Sequence, residues 1–326
     1  MPATLPPTNE IQRSAGLVEL AALLGGAACA ALPETGWLRV TGPDRVRWLN
    51  GVVTNSIAAL KPGEGCYCFL LNAQGRIQGD LTAWMREDAI LLETTQPAMV
   101  RAFLERYIIM DDVELADISG ERRGLLVAGP QAEALLAHTM PGEPMRFRLE
   151  TEHGRELMLI HAHSPLVPRF EMWSDAGVLD GFAPPVGTVS AGALEQLRML
   201  EGTPKYGVDI RDRDLPQETG QVRALHFSKG CYLGQEIVER IRSRGQVHRM
   251  FSGFKLTGSP AVPGTVVESD GRGVGELTSA SLVDHPAEGR IQLALGYVRR
   301  EAAERGLPLT YAGGTASPIA LPYTRT

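Results

Sequence analysis

The residue with the clearest chemical potential is Cys231, which follows a lysine and a glycine in residues 228–236 (Ser-Lys-Gly-Cys-Tyr-Leu-Gly-Gln-Glu). Apolar residues recur every fourth position over residues 233–241, which predicts a short amphipathic helix ending near Arg242. Cys231 is then expected in or just before the first helical turn, where free backbone N–H groups, the helix dipole and Lys229 favour a thiolate. A thiolate serves as a nucleophile or a metal ligand. The alternative interpretation is a small, buried residue in a tight turn.

The same residues carry a family signature. Lys-Gly-Cys-Tyr-Leu-Gly-Gln-Glu over residues 229–236 resembles the K-G-C-Y-x-G-Q-E motif of the YgfZ-type folate-binding proteins. These proteins are relatives of the glycine-cleavage T-protein, an aminomethyltransferase, and act in iron–sulfur protein maturation. The resemblance implies that tetrahydrofolate, or a one-carbon derivative of it, is bound. It also implies that Cys231 is the reactive group and that Lys229, beside it, is a second catalytic residue.

A second stretch resembles the same superfamily. Residues 197–210 (L-R-M-L-E-G … Y-G-V-D-I) match the pattern L-R-x-E-x-G … Y-G-x-D-I, with one residue more before the glutamate and one fewer before the glycine. In relatives this glutamate binds the pterin ring, and a carboxylate suits that role because it accepts two parallel N–H bonds from an aminopyrimidinone edge. We therefore expect Glu201 to hold the pterin, with Arg198, Tyr206 and Tyr232 as further folate contacts. The alternative is that Glu201 forms a surface ion pair with Arg198 or the next lysine.

A β-hairpin is predicted over residues 67–84, because Asn and Gly in the turn over residues 72–75 adopt the required dihedral angles. Residues 72–80 resemble the T-protein run N-x-x-G-G-I-L-D-D, in which a strand aspartate contacts folate beside the one-carbon centre. Here the first aspartate is replaced by Gly79, and only Asp80 is present. We interpret this as the loss of one of two carboxylates, which argues against aminomethyl transfer.

Two further departures from the T-protein pattern agree with that interpretation. The T-protein run G-Y-T-G-E is replaced by residues 161–166 (His-Ala-His-Ser-Pro-Leu), and Cys231 stands where T-proteins carry an aspartate. His161 and His163 could face one metal, but no carboxylate or cysteine signature accompanies them. We interpret them as solvated loop histidines, and we predict no metal site.

Two of the other cysteines, Cys66 and Cys68, are two positions apart in an apolar run. On a strand they face the same side, so they could join Cys231 in binding a metal or cluster. The apolar surroundings favour plain core cysteines instead. The chain has 4 cysteines and no CxxC pair, which is typical of a reducing compartment.

The composition is that of a folded globular protein: 326 residues, 44% hydrophobic and 21% charged. The formal net charge of -6 gives no global attraction to nucleic acid or to anionic membrane. A local basic run follows the cysteine helix, and it consists of Arg240, Arg242, Arg244, His248 and Arg249. We interpret this run as a solvated helix end rather than a polyanion site, so direct nucleic-acid binding is not predicted.

Residues 16–32 superficially resemble a secretory leader, but Glu19 interrupts the apolar region and Glu10 stands where a basic leader is required. No segment approaches the roughly 18 apolar residues of a membrane span. We therefore expect a cytoplasmic protein with no membrane partner.

Alternating helix and strand patterns predict an α+β fold in three parts, and Ser190 is expected to cap a helix whose apolar face includes Leu194 and Leu197. Residues 1–13 are expected to form a flexible N-terminal tail. The resemblance implies an aminomethyltransferase-like, folate-binding module of two α/β subdomains over residues 14–245. Short alternating runs with glycine turns, over residues 251–256, 265–268, 273–279 and 291–298, predict a C-terminal antiparallel β-barrel over residues 246–326.

The function that these observations favour is a tetrahydrofolate-binding accessory factor for iron–sulfur cluster assembly or repair, with client or assembly proteins as partners. The alternative is a folate-dependent aminomethyltransferase or demethylase that passes a one-carbon unit to tetrahydrofolate. A third possibility is a binding module whose folate site has decayed. The sequence contains no P-loop, no G-x-G-x-x-G after a strand and no G-x-S-x-G elbow, which argues against nucleotide hydrolysis and serine esterase activity.

Overall fold

Two β-sheets and a closed β-barrel make up the computed structural model, which describes residues 8–32, 35–136, 140–152, 154–175, 179 and 185–324. The elements up to the middle of the chain are α1 (Thr8–Gly25), β1 (Ala28–Ala31), β2 (Gly36–Thr41), α2 (Arg45–Val52), β3 (Gly65–Leu71), β4 (Ile77–Met85), β5 (Ile90–Thr94), α3 (Pro97–Glu105), β6 (Glu114–Asp117), β7 (Arg122–Ala128), α4 (Ala132–Leu136), β8 (Arg146–Glu152), β9 (Arg155–Ala162) and β10 (Arg169–Asp175). They are followed by β11 (Gly187–Thr188), α5 (Ala191–Glu201), α6 (Gln235–Arg244), β12 (Arg249–Gly258), β13 (Val266–Ser269), β14 (Arg272–His285), β15 (Gly289–Arg299), α7 (Arg300–Glu304), β16 (Thr310–Tyr311) and β17 (Gly314–Ile319).

The first sheet has the strand order β3-β4-β5-β2-β6, and every neighbouring pair is antiparallel. Side chains alternate between its two faces, so each strand contributes to two layers. One face packs against α2 and α3, through residues such as Leu49 and Phe103. The other face carries Trp37 and Trp84, which pack against the second sheet.

The second sheet has the order β11-β1-β7-β10-β9-β8, with one parallel pair, β11 and β1, at its edge. It meets the first sheet through aromatic side chains, and the rings of Trp37 and Trp173 cross edge to face with centroids 5.1 Å apart. Helices α1 and α5 lie between this sheet and the barrel, in a core that includes Leu23, Leu200 and Leu295. Helices α1 and α5 therefore connect the sandwich of two sheets to the barrel.

The barrel closes in the order β12-β15-β14-β13-β16-β17 and is antiparallel throughout. Its interior is filled by side chains that include Phe254, Leu277 and Val298. The predicted α+β class and the C-terminal antiparallel barrel are confirmed. The short strands β16 and β17, which complete the closure, are additions to the predicted strand set.

Helix α5 is fixed at both ends. The Ser190 hydroxyl accepts a hydrogen bond from the Ala193 N–H at 3.3 Å, as predicted for its N-cap. At the other end Gly202 adopts a left-handed conformation with φ of 68°. A segment from far along the chain covers this end: the Tyr323 N–H donates to the Leu200 carbonyl at 2.7 Å. These contacts determine where the last residue of α5, Glu201, can point.

The N-terminal helix begins earlier than the sequence suggested. Helix α1 starts at Thr8, so residues 8–13, which were assigned to the flexible tail, are helical. The proline-rich run ends at Pro7, and residues 8–13 contain neither proline nor glycine to stop a helix. Residues 1–7 lie outside the described ranges. Among the described helices, none has the length and apolar character that a membrane crossing requires.

Candidate functional site

A cavity of about 470 Å³ lies between one face of the first sheet and α5. Four of the residues expected to bind a cofactor line it, and they are Asp80, Arg198, Glu201 and Tyr206. The sequence places Asp80 far from the other three, so the fold brings the two resembling motifs to one space. A cavity of this size is in the range of small-molecule sites.

Asp80 lies on β4 and faces the cavity from the first sheet. The Tyr67 hydroxyl, from the neighbouring strand, donates to Asp80 Oδ2 at 2.6 Å. Burial raises the pKa of Asp80 above its usual value, while the Tyr67 bond and the positive charge of Arg223 oppose that shift. Arg223 stacks on the Tyr67 ring at 4.2 Å from its centroid. Asp80 is thus a carboxyl fixed by a tyrosine and available to a ligand.

Gly79 corrects our interpretation of the hairpin motif. A Cβ built at this residue would stand 3.3 Å from Met99 Cε and 3.5 Å from Val100 Cγ2, which belong to α3. Position 79 therefore points to the helix side of the sheet, while Asp80 points to the cavity side. A carboxylate at position 79 would not stand beside Asp80 in the cavity. The glycine does not argue against one-carbon chemistry in the way that the sequence suggested.

Glu201 is the last residue of α5, and it lines the same cavity as Asp80. Asp80 belongs to the first sheet, whereas Glu201 belongs to the helix on the other side of the cavity. Its Oε1 accepts a hydrogen bond from the Ser164 hydroxyl. Burial raises the pKa of Glu201, while the Ser164 bond and the positive charge of Arg169 hold it down. The Ser164 bond replaces the surface ion pair with Arg198 that we considered.

Arg198 lines the cavity, but its donors are used within the protein. It forms a two-point ion pair with Glu195 at 2.6 and 2.9 Å, and it also donates to Asp209, to the Thr203 carbonyl and to the Ser279 hydroxyl. A guanidinium has five N–H groups, so these contacts account for all of them. Arg198 therefore ties α5 to the barrel, and its expected contact with folate stays a prediction.

Tyr206 lies in the loop after α5 and lines the cavity together with Asp80. Burial and the nearby carboxylates of Asp212, Asp80 and Asp214 raise the pKa of Tyr206 to about 12. The phenol is therefore neutral at physiological pH and offers the cavity a hydroxyl group that both donates and accepts.

Several cavity residues were absent from our sequence-based set. They include Tyr67, Glu93, His163 and Arg169. Tyr67 and Glu93 both pair with Thr82 across the first sheet, so one row of side chains crosses three strands to face the cavity. The alternation of β3 and β5 is the only signal that could have found them, and it does not distinguish a cavity wall from a core.

The two histidines that we interpreted as solvated loop residues differ from each other. His161 is a buried residue of β9, where its Nδ1 faces the Pro141 carbonyl at 3.1 Å and its ring packs on Phe170. The interpretation is wrong for His161, because the strand continues through it. His163 follows the end of β9 and is exposed, as interpreted; it also lines the cavity, where desolvation of part of its ring and the charge of Arg223 lower its pKa to about 4.

Residues 228–234, which we term the cysteine loop, lie outside the cavity-lining set and pack against the end of α2. Lys229 Nζ donates to the carbonyls of Asn50, Val53 and Asn55 at 2.5, 2.7 and 2.7 Å. Burial lowers the pKa of Lys229 to about 8, and the three carbonyls use all three N–H groups of its ammonium form. Lys229 thus anchors the loop to the backbone, and its expected catalytic role stays a prediction.

Cys231 is exposed at the surface of the cysteine loop. Helix α6 begins only at Gln235, with Gly234 as its N-cap in a left-handed conformation of φ 79°. Cys231 therefore lies outside the first helical turn, and the helix dipole, which acts over about one turn, does not explain a reactive thiol here. A Cβ at Gly234 would stand 2.6 Å from the Asn72 carbonyl oxygen, so the hairpin turn packs directly under the loop.

Tyr232 is buried in an apolar cluster with Phe69, Leu71 and Val238, and Lys229 Nζ lies 4.9 Å from its ring centroid. Tyr232 is not among the residues that line the cavity. Its expected contact with folate stays a prediction, and packing accounts for its position.

Within the described ranges, no three His, Cys, Asp or Glu side chains are grouped closely enough to hold a metal ion. Cys66 Sγ and Cys68 Sγ lie 3.6 Å apart on β3, with Cys68 fully buried. Cys231 does not join them in a described cluster.

We compared the sequence and the fold with those of known proteins. Residues 12–155 match the family model of the GCVT N-terminal domain. The crystal structure of aminomethyltransferase T of the glycine cleavage system from Bartonella henselae superposes with a TM-score of 0.81, covering 95% of this chain and 89% of that chain at 22% identity. The chain has a GcvT-like fold.

The relatives by sequence fall into more than one functional group. A protein of Arabidopsis thaliana, named as a putative chloroplastic transferase, is 27% identical over 306 residues, which are 87% of this chain and 68% of that protein. The tRNA-modifying protein YgfZ of Yersinia enterocolitica is 27% identical over 237 residues, which are 70% of each chain. Bacterial aminomethyltransferases also match, at 24 to 28% identity. These similarities agree with the group of proteins that the motifs resemble, and the YgfZ-type assignment stays a prediction.

Proposed function

We propose that this protein binds tetrahydrofolate, or a one-carbon derivative of it, in the cavity between the first sheet and α5. The observation that carries the proposal is that Asp80 and Glu201, from two separate motifs, face one space of about 470 Å³. Glu201 would accept N–H bonds from the aminopyrimidinone edge, and Asp80 would lie toward the one-carbon centre. Tyr206 would contribute its neutral hydroxyl.

Ligand binding is tested by calorimetric titration of tetrahydrofolate against the parent, Glu201→Ala and a matched control, Glu133→Ala on the surface of α4. We expect Glu201→Ala to weaken binding about tenfold or more, because donors of the buried pterin edge lose their acceptor. The control should bind like the parent. Equal affinity in Glu201→Ala and the parent would contradict the proposed orientation.

We further propose that the protein acts as a YgfZ-type accessory factor for iron–sulfur cluster assembly or repair in the cytoplasm, with Cys231 as the group presented to client proteins. The exposure of Cys231, at a distance from the cavity set, supports a role toward a macromolecular partner rather than toward the bound folate. Because the Yersinia relative is named a tRNA-modifying protein, tRNA-modifying enzymes are the first clients to assay.

This role is tested in cells that lack the protein, by measuring iron–sulfur enzyme activities after return of the parent, Cys231→Ser or Cys66→Ser. We expect the parent and Cys66→Ser to restore activity and Cys231→Ser to fail. Full rescue by Cys231→Ser would reduce Cys231 to a surface residue.

One-carbon transfer to tetrahydrofolate is the second candidate function. The observation that favours it is the direction of Gly79, since the cavity carboxylate is present and the replaced aspartate would face α3. Aminomethyltransferases among the relatives support the same candidate. An assay of folate-dependent release of a one-carbon unit from aminomethyl or methylamine donors distinguishes the two, because the accessory role requires binding without turnover.

A further inference from the structure

Glu93 is a further carboxyl at the cavity wall, and neither family motif contains it. It lies on β5 directly opposite Thr82 of β4. Asp80 is two positions from Thr82 on β4, so Glu93, Thr82 and Asp80 lie on the same face of the sheet, the face that lines the cavity. Neighbours on one face of a sheet are close enough to act on the same ligand. The cavity thus has Asp80 and Glu93 on the sheet side and Glu195 and Glu201 on the helix side, where Glu195 is paired with Arg198.

The two oxygens of Glu93 differ in their partners. Oε2 accepts a hydrogen bond from the Trp84 indole N–H at 2.9 Å. Oε1 has no hydrogen-bond partner in the described part of the chain, and the residue lines the cavity. One oxygen is therefore held by the protein, and the other is available to a bound molecule.

Among the described residues, no cationic side chain forms an ion pair with the Glu93 carboxyl group. Arg169 directs its guanidinium at Glu171, with Nε and Nη2 at 2.9 and 2.8 Å from Glu171 Oε1. Arg122 lies on β7, which pairs with β10, the strand of Arg169 and Glu171. Its guanidinium stacks on the Trp37 ring, 4.8 Å from the ring centroid. Within the described ranges, no salt bridge reaches Glu93, and the guanidinium of Arg169 is paired with the Glu171 carboxylate.

The other titratable groups that line the cavity are Asp80, Glu195, Glu201, His163, Tyr67, Tyr206, Lys205 and Arg198. Burial raises the pKa of Glu93 to about 8, with the negative charge of Glu171 adding to the shift, while the Trp84 bond, Arg169 and Arg122 oppose it. A carboxyl in this setting keeps its proton at neutral pH.

We propose that Glu93 is a specificity-determining residue whose protonated carboxyl donates a hydrogen bond from its cavity oxygen to an acceptor atom of the bound heterocycle. The ligand class rests on the proposed function. An aminopyrimidinone carries both N–H donors and carbonyl or ring-nitrogen acceptors, and an ionised carboxylate satisfies only the donors. Glu201 serves the donor side, and Glu93 supplies the proton that an acceptor atom requires. An ionised Glu93 at the same place would repel that atom.

The test is calorimetric titration of tetrahydrofolate between pH 6.5 and 9 with the parent, Glu93→Gln and the control Glu105→Gln on the surface of α3. Because only the protonated form is competent, affinity of the parent should fall about tenfold between pH 7 and pH 9. Glutamine keeps an acceptor for Trp84 and a donor for the cavity, so Glu93→Gln should bind like the parent at pH 7 and show no such fall. The control should follow the parent.

A second measurement needs no variant. Titration of the parent at pH 8.5 in buffers of different ionisation enthalpy should show proton uptake on binding, because the ligand selects the protonated carboxyl. Binding without proton uptake, or the same fall in affinity in Glu93→Gln as in the parent, would overturn the role of Glu93 and leave the folate proposal intact. Absence of binding to the parent at every pH would overturn both.

Discussion

The cavity and the cysteine loop differ in which atoms are fixed by hydrogen bonds: side chains in the cavity and the backbone in the cysteine loop. In the cavity, side chains such as Asp80 and Glu201 are fixed by hydroxyl groups of Tyr67 and Ser164, and burial changes their acidity. In the cysteine loop the backbone is fixed, since Lys229 holds three carbonyls, while the Cys231 side chain is exposed. The first arrangement suits recognition of a small molecule. The second suits presentation of a thiol to a partner.

Among the changes that distinguish the cavity from the cysteine loop, we expect the largest from Glu93, which should make the free energy of unfolding depend on pH. Its pKa is raised in the folded protein from 4.5 to about 8, so its stabilising effect is complete below pH 4.5 and is lost as the pH rises through 8. Between pH 5 and pH 8 the parent should lose about 3 kcal/mol relative to Glu93→Gln. Urea denaturation of both proteins at each pH measures this difference. Parallel stability curves would show that Glu93 is ionised in the folded state.

The next effect tests whether the cysteine loop depends on its anchor. Lys229→Met removes the donor to three carbonyls, and we expect it to lower the free energy of unfolding by about 2 kcal/mol at pH 7. Lys61→Met, at an exposed loop position, is the matched control and should change stability by less than about 0.5 kcal/mol. If Lys229→Met kept the stability of the parent but slowed alkylation of Cys231, the lysine would belong to the thiol chemistry after all.

Asp80→Asn should have a smaller effect, and only on the ligand. The amide has the same shape and keeps an oxygen for the Tyr67 hydroxyl, so stability should change little. We expect tetrahydrofolate affinity to change about three- to tenfold and its profile between pH 5 and 8 to flatten, because the titrating group is removed. A binding profile identical to that of the parent would place Asp80 outside the ligand contacts.

The smallest effect on stability is expected at Cys231. Cys231→Ser should change the free energy of unfolding by less than about 0.5 kcal/mol, since the side chain is exposed. In the native parent, iodoacetamide should label Cys231 first and half-buried Cys66 second, with Cys29 and Cys68 protected until unfolding. Mass spectrometry after timed labelling checks the order. Early labelling of Cys68 would mean that the first sheet opens readily.

The sequence could predict the elements that repeat a local pattern and the residues that stand in contiguous motifs. The hairpin, the Ser190 cap and the barrel class follow from spacing and turn residues, and Asp80 and Glu201 follow from motifs. Glu93 could not be predicted, because its role depends on which face of β5 meets the second sheet. For Cys231 the sequence predicted the helix but not its first residue. The apolar spacing identified α6, but Gly234 adopts a left-handed conformation as the N-cap, so the helix begins at Gln235, after the cysteine.

The hydrogen bond from Tyr323 to the Leu200 carbonyl has a consequence for biosynthesis. Leu321 also occupies the space where a side chain at Gly202 would stand, so the end of α5 is closed by residues made long after it. On the ribosome, the sheets and α5 emerge before the segment that secures Glu201. Binding competence should therefore appear late in translation, after the barrel has formed, and nascent chains stalled before residue 321 should not retain the ligand.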